Sequence, residues 1–171
     1  MGKLLTLAVK KTRAGSRKWS LPAFQRRAHQ SQEAIQAAGA ALSNDYKLLK
    51  WKKRVDYQSY TGILQTVREL RQRNDAWSTT MYDDERLPFV AYILRYPLLS
   101  ACYHLQQHAD ELITLLVTAC TAYDTSPIEE TRLREDIVKA LAAVLKSGKE
   151  VSRETTALLD QIRFREQQRA I

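Results

Sequence analysis

The chain has 171 residues, with 27 Lys and Arg against 19 Asp and Glu, a net charge of +8. That length suits one domain, and such a chain buries about 70% of its unfolded surface without help from disulfides. No apolar run approaches the roughly 20 residues that span a bilayer, and "LLTLAV" is too short for a signal-peptide core. The two cysteines, Cys102 and Cys120, sit in apolar runs at a spacing that fits no zinc motif, so they read as buried thiols in a reducing cytoplasm.

The charge is uneven. Residues 1–54 hold 13 Lys and Arg against Glu33 and Asp45, an excess of 11, whereas residues 55–171 hold 14 against 17. A field confined to one third of a chain points to a polyanion, either nucleic acid or an acidic surface. Strand signals are nearly absent and helical spacing recurs. The expected fold is therefore all-α: a single domain over 1–171, built as a compact bundle of five to six helices.

Residues 1–18 read as a basic arm or a short helix. "MGKLLT" fits the loose myristoylation pattern through Gly2 and Thr6. Gly15 and Ser16 then mark a loop. Ser20 and Pro22 open a first helix, with Phe24, Ala28, Ile35, Ala38 and Leu42 as its apolar stripe. The run Ala37 to Ala41, with Gly39 inside it, suggests close helix approach. Asn44 and Asp45 suggest a stop and a new cap.

A long helix is expected from about Tyr46 to Trp77, with a break near Gly62. At about 100° per residue, Leu48, Trp51 and Val55 share one face, and Lys47, Lys50, Lys53 and Arg54 fall on the other. On this phase Trp51 is a core anchor. The cations repel one another by a few tenths of a kcal/mol per pair, so folding gains nothing from them, whereas a phosphate backbone does. Arg17, Lys18, Arg26 and Arg27 would join them if the first two helices formed a hairpin. The candidate nucleic-acid-binding set is thus Arg17, Lys18, Arg26, Arg27, Lys47, Lys50, Lys53 and Arg54. The plain alternative is a solvated basic face.

Asp83, Asp84 and Glu85 read as a turn and helix cap. The next helix runs from about Leu87 to Tyr123, and Pro97 should kink or break it. "DTSPIEE" starts another helix, with Ser126 as cap, Pro127 in the first turn and Glu129 and Glu130 against the positive end. Ile128, Leu133, Ile137, Leu141, Val144 and Leu145 form its stripe, and Gly148 should end it. Ser152 should cap a last helix that turns Leu158, Leu159, Ile162 and Phe164 inward.

Catalytic signatures are missing: no phosphate loop, dinucleotide fingerprint or nucleophile elbow. His104, His108 and Glu111 could share a helix face and hold a metal, but the spacing is weakly specific and a polar face explains it more simply. The reading is not an enzyme, with no cofactor and no metal.

The stretch "RLPFVAYILRYPLLSACYHLQ", Arg86 to Gln106, resembles the central helix pair of the small helical subunit of CRISPR interference complexes, found in type III and some type I effectors. The resemblance implies a non-catalytic subunit stacked in several copies beside the backbone subunits of a ribonucleoprotein. Its basic faces would follow the guide RNA, the target strand or their duplex. A helical adaptor that binds an acidic protein partner is the alternative.

Overall fold

The computed structural model describes residues 20–51, 57–82, 92–121 and 126–170. Four helices account for them: α1 Leu21–Trp51, α2 Tyr57–Tyr82, α3 Tyr92–Thr121 and α4 Pro127–Arg169. The fold is all-α, as expected, but the described residues form a compact bundle of four helices and not five to six. The expected basic arm over residues 1–18 and the acidic turn at Asp83 to Glu85 lie outside the described residues.

The difference has a physical cause, which is register. The buried positions of α2 include the series Tyr60, Ile63, Val67, Leu70, Asn74, Trp77 and Met81, with Leu64 beside it. Those of α3 include the series Arg95, Leu98, Cys102, Leu105, Ala109, Leu112 and Leu116, with Leu99 and Ala101 beside it. Both series step by three and four in alternation, the seven-residue repeat of helices packed side by side. The same stepping passes through Asn44 and Asp45, because Ile35, Leu42 and Leu49 are all buried on α1. It also passes through Gly148, which occupies its own place in the series Val144, Gly148, Val151, Thr155, Leu158 and Ile162. Each break signal is a residue that a helix tolerates at about 1 kcal/mol or less, and an unbroken seam outweighs that cost.

Pro97 does not break its helix: α3 runs through it, within two turns of the helix start. Other expectations fail on register. Ile128 and Phe164 fall outside the series and are exposed. The capping signals at Ser126 and Ser20 hold, whereas Ser152 and Asp45, expected to cap new helices, lie inside α4 and α1. Ser126 Oγ accepts from the Glu129 amide at 3.3 Å, with Pro127 next in the chain and Glu129 and Glu130 in the first turn. Ser20 Oγ likewise accepts from the Ala23 amide at the start of α1.

Neighbouring helices run antiparallel. Along α2 and α3, Thr61 meets Cys120, Arg71 meets Asp110, Asn74 meets Cys102 and Met81 meets Arg95. On the other side, Gln32 of α1 donates to the Ser152 carbonyl and to Thr156 Oγ1 of α4. α1 and α3 each pack against both α2 and α4, so the helices stand at the corners of a square.

Polar groups inside the bundle are few and placed. The Trp77 indole donates to Thr155 Oγ1 at 3.1 Å, and that hydroxyl donates to the Val151 carbonyl at 2.8 Å. The same indole stacks on Phe24 with centroids 5.8 Å apart, so one side chain ties α1, α2 and α4 together. Arg95, only 4% exposed, donates from Nη1 to the Met81 carbonyl at 2.8 Å. That carbonyl belongs to the last turn of α2, where backbone acceptors lack helical partners and the helix end favours a cation.

Trp77→Ala should therefore cost about 3–5 kcal/mol in urea unfolding, since it removes a buried ring and takes from Thr155 Oγ1 the hydrogen bond it accepts.

Candidate nucleic-acid interface

The candidate cations divide into two groups once α1 is seen as one rod. Arg26 and Arg27 lie near its start, and Lys47 and Lys50 lie in its last two turns. Twenty or more residues separate the groups, which is about 30 Å at 1.5 Å per residue. The hairpin that would have brought them together does not form, because α1 continues past Asp45 to Trp51. Arg17, Lys18, Lys53 and Arg54 lie outside the described residues.

The four described cations are all exposed. Among the described residues no carboxylate pairs with any of them; the ion pairs found there are Arg71 with Asp75 and Asp110, and Arg153 with Glu154. Lys50 Nζ instead lies 5.7 Å from the centroid of the Tyr46 ring, a cation–π contact within one turn.

Trp51 is not a core anchor. It is 80% exposed, and Leu48 beside it is 49% exposed. Leu49, not Leu48, carries the seam. Relative to the buried Leu42, Trp51 points about 180° away and Lys47 about 140° away, on the ridge of α1 that faces water. The phase set by Leu48, Trp51 and Val55 is one that three apolar residues satisfy by themselves. Extending the heptad from Ile35 and Leu42 finds Leu49 and frees Trp51.

Beneath this ridge, the corner between α1 and α2 holds a recess of about 160 Å³ lined by Asp45, Leu48, Gln58 and Ile63 among others. Asp45 occupies the seam position between Leu42 and Leu49. Burial pushes its carboxyl above the ordinary value of 3.8.

Among the described residues no three His, Cys, Asp or Glu side chains stand together as a metal site, so His104, His108 and Glu111 form no cluster. Both cysteines are free thiols. Burial, with a smaller contribution from Asp75, pushes Cys102 up to about 12, so it stays protonated. No described helix is long and apolar enough to cross a membrane. Compared with protein-family models, curated proteins and solved structures, the chain matches none.

Two measurements test this geometry. Trp51→Ala should change stability by no more than about 0.5 kcal/mol, against the large loss for Trp77, while removing the most water-accessible indole among the described residues. The native state holds the Asp45 proton to higher pH than the unfolded chain does. Stability should therefore fall as pH rises from about 3.8 through the raised native value. Asp45→Asn should flatten that limb and raise the melting temperature at neutral pH.

Proposed function

We propose that this chain is a non-catalytic, nucleic-acid-binding subunit of a cytoplasmic ribonucleoprotein. On the resemblance of Arg86 to Gln106, it acts in an RNA-guided CRISPR effector. The observation that carries the binding reading is Trp51, exposed on the same ridge as the unpaired Lys47 and leading in sequence into Lys52, Lys53 and Arg54. An exposed indole among cations is how a protein holds an unpaired strand. Phosphates meet ammonium and guanidinium groups, and a base lies on the ring for about 1–3 kcal/mol. Such contacts read the backbone and the π-face, so they discriminate weakly between sequences.

The second reading, a helical adaptor for an acidic protein partner, draws on Leu48. An apolar side chain beside a tryptophan and several cations also suits a protein interface. Heparin would compete equally well under that reading, and captured partners would survive nuclease treatment.

The deciding experiment is a salt titration with single-stranded and duplex oligonucleotides. Lys47→Ala with Lys50→Ala should reduce the slope of log K against log salt by about 1.4–1.8, near 0.7–0.9 for each phosphate that the variant leaves unneutralised. Trp51→Ala should weaken binding about 5- to 100-fold with the slope unchanged, since stacking releases no counterions. An unchanged slope in the double lysine variant, together with unchanged affinity in the tryptophan variant, defeats the proposal.

A further inference from the structure

The seam between α1 and α4 is open midway along the bundle. A cleft of about 380 Å³ enters there, floored by Ile35, Leu42, Leu70 and Val144. Seams of this kind are normally closed by long side chains at the positions flanking the buried series. Here small residues take much of the lining, Gly39, Ala40 and Ser43 on α1 with Gly148 and Ser152 on α4, beside the longer Gln36, Leu145 and Lys149. The run from Ala37 to Ala41 therefore does not bring helices close together. A methyl group added at Gly39 would meet nothing within 4 Å, and one at Gly148 would reach only the Ile35 side chain at 3.9 Å. Neither glycine is required by packing, and each weakens its helix relative to alanine.

One charged residue distinguishes the cleft from a plain packing gap. Lys149 is the one charged residue among the described lining, and among the described residues no carboxylate pairs with it.

The geometry points to a binding site for a small amphiphile: an apolar chain seated on the α1–α4 floor, with an anionic carboxylate held by Lys149. The volume lies within the range of small-molecule pockets and is more than twice the roughly 150 Å³ that accommodates benzene in an engineered apolar cavity. The site is independent of the cationic end of α1.

Octanoate is a suitable probe, with octan-1-ol as its uncharged counterpart, measured by isothermal titration and thermal melting of the whole chain. One saturable octanoate site per chain is expected, with Kd of about 0.1–1 mM for a ligand of this size. Gly39→Leu should fill the cleft and abolish that binding, with the melting temperature kept or raised. Lys149→Met should weaken octanoate about two- to fivefold and leave octan-1-ol unchanged. Gly148→Leu provides a second blocked cleft should Gly39→Leu fold poorly. The proposal is overturned if the native chain shows no saturable binding, if a folded blocked variant still binds, or if Lys149→Met affects acid and alcohol alike.

Discussion

Helices of 3.6 residues per turn drift out of contact by about 20° every seven residues unless they supercoil, so four long helices stay packed only when their apolar positions keep a seven-residue repeat. Each helix here keeps that repeat over most of its length. The constraint explains why α4 continues through Gly148 and why α1 continues through Asp45. It also sets where the seam stops. In α4 the last buried position is Ile162, and Arg163 to Arg169 are all exposed although still helical. At 43 residues, about 64 Å, α4 outreaches its partners.

Polar groups then decide which four-helix arrangement the repeat produces. A uniform apolar seam would let helices slide by one heptad with little penalty. Trp77 opposes this, because its indole must find Thr155 while its ring stacks on Phe24. Asn74 adds a second fixed point by donating to the Cys102 carbonyl, and Arg95 a third at the end of α2. Each sits in the apolar series of its own helix. Displacing any of them by one heptad would bury a polar group away from its partner, at about 1–3 kcal/mol or more for a charge.

Much of this is legible in the sequence. The all-helical class follows from periodicity, and the start of α4 from Ser126, Pro127 and the two glutamates. Helix number is not legible from punctuation, because Asn44 and Gly148 are local signals of about 1 kcal/mol or less and Pro97 one of about 3 kcal/mol, while the seam sums burial over dozens of residues. Trp51 escapes a sequence reading for a related reason. Near a helix end a short window contains too few residues to fix the phase, and Leu48 and Leu49 each offer one. Only the series from further back on α1 chooses between them. Arg95 cannot be recognised as a buried cap, since its partner is a backbone carbonyl that no sequence pattern marks.

The two candidate surfaces arise from one rule. A helix in a four-helix square gives its seam positions to the core and its flanking positions to the gaps between neighbours, which leaves an outer ridge under no packing demand. Residues on that ridge are free to serve something else. At the end of α1 the ridge holds Lys47 and Trp51, whose charge and apolar area do not stabilise the bundle. Along the α1–α4 seam the departure runs the other way: Gly39, Ala40, Ser43 and Gly148 stand where longer side chains would close the gap. A surplus of contact groups on the ridge and a deficit on the flank are both departures from what the fold alone requires. Both lie on α1, yet they use different faces of it and different physics. One offers charge and a π-face to a polymer passing outside, the other an apolar floor to a small molecule entering from the side.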